Sequence, residues 1–215
     1  GWGIGTGGRM FGDFLSDFIT IWVIIDPITA LPIFIGLTGA FDKATQRKIA
    51  AMSTFVALIV LVFFIAVGQI IINSMGISLR AFAVAGGLIL FLFAVEMVIG
   101  KDPPVQDPES RQTPMQIAVY PLAIPNLAGP GAMLTVILRT DNSRVNLLEQ
   151  VHTTVAVAAV LLIAYLLLLL AGPITRLIGV GGANVIKRIM GMIIAAYAAN
   201  LVFGGIADWL HFPPL

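Results

Sequence analysis

The chain has 215 residues, 59% hydrophobic and 11% charged, against about 25% charged in a soluble domain, which marks it as an integral membrane protein. A net charge of +1 without a long basic run points away from a nucleic-acid partner. Cysteine is absent, which excludes disulfides, thiolate metal sites and cysteine nucleophiles.

The first residues, GWGIGTGGRM, are glycine-rich and lack a basic segment followed by an apolar core, so they do not resemble a cleavable signal peptide. Residues 1–12 are read as a flexible tail. A membrane-crossing helix needs about 20 mostly apolar residues. Six stretches meet or approach that requirement: 13–39, 49–72, 79–99, 114–138, 152–171 and 184–207. The predicted fold class is an all-α membrane protein with six transmembrane helices. Residues 13–100 form a first three-helix unit, 101–113 a cytoplasmic linker and 114–215 a second three-helix unit.

The first stretch holds DPITALPIF, residues 26–34. Proline lacks an N–H and clashes with the preceding turn, so Pro27 and Pro32 break this helix. Phe14 to Ile25 is expected as one half-helix, with a second from Ile28 capped by Asp26. Asp13 and Asp17 mark the outer end. The third stretch carries Glu96, an acid inside a span and so a functional candidate; it also lies five residues from Lys101, close to a boundary. The fourth contains IPNLAGPGA, residues 124–132, which repeats the spacing of the first proline pair. Pro125, Pro130, Gly129 and Gly131 break that helix in turn. GVGG at 179–182 reads as a turn before the sixth stretch. Trp22 and Trp209 read as packing or interface residues.

The two halves also match each other. AGGLILFLFAVEMVIG (85–100) overlies IMGMIIAAYAANLVFG (189–204), so that Gly87 meets Gly191, Glu96 meets Asn200 and Gly100 meets Gly204. The separation is a constant 104 residues; the proline pairs align at 98. An odd number of helices per unit makes the second copy enter the membrane from the opposite face, as in many secondary transporters. Eight of the twelve Lys and Arg residues (Lys43, Arg47, Lys48, Lys101, Arg111, Arg176, Lys187 and Arg188) fall on one side. That side is assigned to the cytoplasm and both termini outside.

Unwound backbone at membrane depth is tolerated where it is buried in protein or lines a wet cavity. Helix N-termini at such breaks attract a carboxylate. Freed carbonyls with Asp26, Thr29 or Asn126 suit an ammonium. The candidate substrate-binding residues are therefore Asp26, Pro27, Thr29, Asn126, Gly129 and Gly131, with Asp26 and Glu96 as proton-coupling candidates. The plainer alternatives are prolines that only kink their helices and an Asp26 that only caps. No metal or cofactor is expected: the two histidines, His152 and His211, make no zinc pair. No phosphate-binding loop of an ATP-driven pump is present.

DPITALPIF, AFAVAGGLILFLFAVEMVIG, YPLAIPNLAGPGAMLTVIL and NVIKRIMGMIIAAYAANLVFGGI together resemble the MarC family of integral membrane proteins, from about Phe11 to Asp208. The family has six spans and includes SnatA-type carriers of small neutral amino acids. The resemblance implies proton-coupled transport of glycine, alanine or serine across the cytoplasmic membrane. Its motifs fall on Asp26, Pro27, Pro32, Pro125, Asn126, Gly129, Pro130 and Gly131. The expected partners are the amino acid, a proton and the lipid bilayer, with room for a homo-oligomer. The rival readings are a passive channel or exporter for other solutes, an intramembrane enzyme and a non-transporting membrane subunit.

Overall fold

The structure, a computed structural model, describes residues 6–100, 113–140 and 147–210. Residues 101–112 of the expected linker, with Lys101 and Arg111 among them, and Arg144 and His211 lie outside the described residues. Within them the fold is all-helical. Four helices are long and apolar enough to cross a membrane, and two bent pairs each qualify as a broken span, giving up to six.

Helix α1, Thr6–Ile25, ends at Asp26, and α2 runs from Ala30 to Thr38. The two are bent by 45° at the break. Helix α1 already starts at Thr6, ahead of the span start expected at residue 13. Helices α3 (Lys43–Ser74) and α4 (Leu79–Ile99) follow. Then come the short α5 (Pro114–Ile117), an irregularly wound segment Ala118–Leu127, and α6 (Pro130–Arg139). The bend between Pro114–Leu127 and α6 is 56°. Helix α7 spans Leu147–Leu169 and α8 spans Ala171–Leu210.

Helix α8 departs from expectation. Its residues 171–178 are helical, where the sequence suggested a loop, and the chain changes direction at Gly179 (φ 68°, ψ 170°). That backbone region is essentially open to glycine alone.

Among the described residues, three helix starts carry a side-chain cap. Asp42 caps α3 by accepting from the N–H groups of Ala44 and Thr45, and Ser78 caps α4 through the N–H of Ala81. Thr113 and Gln116 form a reciprocal capping box on α5. By contrast, α2 and α6, which begin at the two breaks, have no side-chain cap.

Packing relies on small residues. Ala50, Ala57, Ala94, Ala118, Ala123, Ala156, Ala164 and Ala198 are fully buried, while Phe55, Ile59, Leu92, Leu162 and Leu166 point outward. Lipid is as apolar as leucine, so helices associate through close approach rather than by hiding large side chains. The central pair is α4 against α8. A Cβ on Gly87 would lie 2.9 Å from Val202 Cγ2, 3.1 Å from the Ala198 carbonyl and 3.2 Å from Leu201 Cβ. One on Gly191 would lie 2.9 Å from Met97 Cβ, and 3.0 Å from both the Ala94 carbonyl and Val98 Cγ2. Each partner of Gly191 (94, 97, 98) matches a partner of Gly87 (198, 201, 202) at the 104-residue separation. The two helices cross antiparallel, since Gly205 in turn approaches Val84 and Arg80.

A polar tie joins three elements. The Arg139 guanidinium pairs with Asp17 at 2.5 Å and donates to Thr20 Oγ1 at 2.9 Å. Thr153 of α7 donates to the other Asp17 oxygen at 3.1 Å.

Candidate functional site

The residue before a proline is pushed out of the α region, and this rule builds both breaks. Tyr120 (φ −134°, ψ 124°) precedes Pro121, and Ile124 (φ −127°, ψ 124°) precedes Pro125. Gly129 (φ −77°, ψ 169°) precedes Pro130, which then opens α6 at its first turn. At the first break Asp26, before Pro27, takes φ 47°. Asp tolerates that left-handed conformation better than most residues.

Asp26 does not cap a half-helix beginning at Ile28, as the sequence suggested. Residues 26–29 form a turn and α2 starts two residues later, at Ala30. The carboxylate is held from within this turn: Thr29 Oγ1 donates to Asp26 Oδ2 at 2.7 Å. Asp26 is only 5% exposed, and its Oδ1 has no partner among the described residues.

The breaks lie against one another. A Cβ on Gly131 would meet Ile24 Cγ2 at 3.3 Å, and would also run into Leu90 of α4. Helix α1 packs on α6, and α2 packs on the irregular segment Ala118–Leu127. Asp26, Pro27, Leu127, Ala128 and Gly131 are buried, Thr29, Asn126 and Gly129 half-buried. Pro32, Pro125 and Pro130 are exposed. These are positions where a residue with no N–H leaves nothing unsatisfied in lipid.

The polar inventory is uneven. Asp26 Oδ1, Asn126 Nδ2 and Thr135 Oγ1 are buried without hydrogen-bond partners among the described residues. Buried polar groups are normally paired. Here one acceptor, one donor and one hydroxyl stand ready at or beside the breaks. Together with the start of α6, which has no side-chain cap, they offer an acceptor to a cation and N–H groups to an anion; at the start of α2 the Leu31 N–H is taken by the Ile28 carbonyl at 3.2 Å and Pro32 has none. No cluster of acids and histidines able to hold a metal occurs among the described residues.

Glu96 stands apart in character. It is exposed in the last turn of α4, where its carbonyl accepts from the Gly100 N–H at 3.0 Å. Thr135 and Pro121 escaped the sequence-based selection. Pro121 had a usable signal, since a Tyr-Pro pair inside an apolar stretch already predicts a departure from helix. Thr135 had none, because a threonine in an apolar helix usually bonds back to its own backbone.

The sequence matches the profile described as MarC family integral membrane protein over residues 11–210. It is similar to a UPF0056 membrane protein of Archaeoglobus fulgidus, 32% identical over 200 residues, covering 92% of this chain and 93% of the relative. A UPF0056 membrane protein of Aquifex aeolicus is 32% identical over 202 residues, covering 92% and 94%. One of Bacillus subtilis is 30% identical over 204 residues, covering 92% and 95%. No solved structure matches the chain.

Proposed function

The chain belongs to the MarC family of integral membrane proteins, and from that premise we propose that it is a proton-coupled secondary transporter of small neutral amino acids. Glycine, alanine and serine are the substrates in view. The reading has the chain cross the cytoplasmic membrane six times as two inverted three-helix units, with both termini outside. The matched contact sets of Gly87 and Gly191 support the inverted repeat. A two-fold axis across an antiparallel pair lies in the membrane plane.

One observation carries the substrate assignment. Neither helix that begins at a break has a side-chain cap, and beside them buried Asp26 Oδ1 and Asn126 Nδ2 lack partners among the described residues. A zwitterion complements that set: its carboxylate takes the free N–H groups and the Asn126 amide, and its ammonium takes Asp26. Leu90 and Ile24 closing on Gly131 leave little width there, which favours a side chain no larger than a methyl or hydroxymethyl group. Asp26 is the proton carrier in this scheme, since it sits at the break, whereas Glu96 is exposed at a helix end. Rocking one unit against the other would open the breaks to each side in turn.

Counterflow in proteoliposomes tests this. Labelled glycine or alanine should accumulate faster when unlabelled substrate is loaded on the opposite side. Asp26→Asn and Gly131→Leu should abolish the effect. If glycine, alanine and serine all fail to exchange and fail to raise the melting temperature, the assignment falls.

A further inference from the structure

Helix α2 and the two arms of α8 enclose a narrow cleft lined by Ile28, Thr29, Pro32, Thr175, Ile178 and Ile186, among others. Its cavity volume is about 10 Å³, close to the room one water needs. Of its lining side chains only two are polar, Thr29 and Thr175. Thr29 already donates its hydroxyl hydrogen to Asp26 Oδ2 at 2.7 Å, so its oxygen is left to accept. Thr175 Oγ1 is buried and has no partner among the described residues. In an apolar helix a threonine hydroxyl normally bonds its own backbone, as Thr38, Thr54 and Thr140 do here. Thr175 makes no such bond, which points to a partner in the cleft.

We propose that this cleft is a single-water site joining Thr175 to Thr29 and so to Asp26, and that it is the route by which a proton reaches that carboxylate. The water donates one hydrogen to Thr29 Oγ1 and bonds Thr175 Oγ1 with its remaining capacity. When Thr29 passes its hydrogen to Asp26, the water resupplies Thr29 and is itself resupplied from solvent. One proton moves and both hydroxyls end as they began. The charged side chains of α8 (Arg176, Lys187, Arg188 and Asp208) do not line the cleft. Gly179 sets the geometry: its glycine-only dihedrals fold the 171–178 arm back so that Ile174, Thr175 and Ile178 face α2 opposite Ala183 and Ile186 of the second arm. The inference rests on the assignment of Asp26 as proton carrier, but not on the identity of the transported solute.

The test therefore uses no amino acid. Infrared spectroscopy of the detergent-solubilised protein follows deuteration of the Asp26 carboxyl after mixing with D₂O, with Asp26→Asn identifying the band. Thr175→Val, nearly the same shape, should slow deuteration by a factor of about ten, the scale of one lost hydrogen bond, while Thr175→Ser should keep the wild-type rate. An experimental map should show a water within hydrogen-bond reach of both threonine hydroxyls. Equal rates in all three proteins, or a dry cleft in such a map, overturn the proposal. A protein that shows the Thr175 effect but never exchanges glycine, alanine or serine keeps the water route and loses the substrate assignment.

Discussion

Arg139 reaches Asp17 across 122 residues of sequence and holds it at 2.5 Å, with the same guanidinium on Thr20. The pair ties α1 to α6, and Thr153 adds α7. Every opening motion that separates α1 from α6 at this end must break it.

Neutralising one partner is expected to destabilise the protein. The side chains are 32% and 14% exposed, so solvent screens part of the interaction, and Arg139→Gln should cost about 1 kcal/mol. Thermal unfolding in detergent measures this. The double change Asp17→Asn with Arg139→Gln should cost less than the sum of the single changes; strict additivity would show that the ion pair contributes nothing.

The α4–α8 crossing makes a sharper prediction. Gly87→Ala and Gly191→Ala each push a methyl to about van der Waals overlap with a backbone carbonyl, at 3.1 and 3.0 Å. Each should cost about 1–3 kcal/mol, the range for overpacking, and the two costs should be similar. A large loss at one glycine and none at the other would remove the support for two matched units.

Asp26 and Thr29 separate chemistry from backbone. Asn also accepts positive φ, so Asp26→Asn should leave the melting temperature nearly unchanged while transport is lost. Asp26→Val should unfold more easily by about 1–2 kcal/mol, because a β-branched residue resists φ 47°. Thr29→Val strips the remaining donor from Asp26 Oδ2 and should cost about 1–3 kcal/mol, with Thr29→Ser neutral. Thermal unfolding and uptake measured on the same preparations check all four.

Asp42 governs acid sensitivity at the start of α3. Hydrogen bonds from the Thr45 hydroxyl and amide hold its carboxyl below the ordinary value of 3.8. A depressed value means that the charged cap favours the folded helix above that pH and ceases to do so as the pH falls through the lowered value. The protection factors of the Ala44 and Thr45 amides, taken as intrinsic over observed exchange rate at each pH by mass spectrometry, should therefore fall on acidification in the wild type. Asp42→Asn should flatten that dependence, and an unchanged slope in the variant would refute it.

Much of the fold is legible in the sequence because lipid imposes long apolar runs. Leu79–Ile99 agrees with the expected 79–99, and the proline pairs locate both bends. Finer placement failed where local rules compete. Asp26 is a good cap in principle, yet its Oδ2 takes the Thr29 hydroxyl inside a turn instead, and the helix begins later. The 171–178 arm fell between the fifth expected stretch, which ends at 171, and the turn read at GVGG, although proline is welcome in a helix's first turn. Long-range ties such as Arg139 to Asp17 leave no local trace: charges near the ends of spans look alike whether they face water or each other.

The self-matching seam between α4 and α8 also constrains biogenesis. Helix α4 leaves the ribosome long before α8, the last of the described helices to be made. Until then the Gly87 face lacks the residues that meet it in the folded chain, Ala198, Leu201 and Val202. Closure of this seam therefore has to wait for the last of the described helices, whatever the order in which the other helices pack.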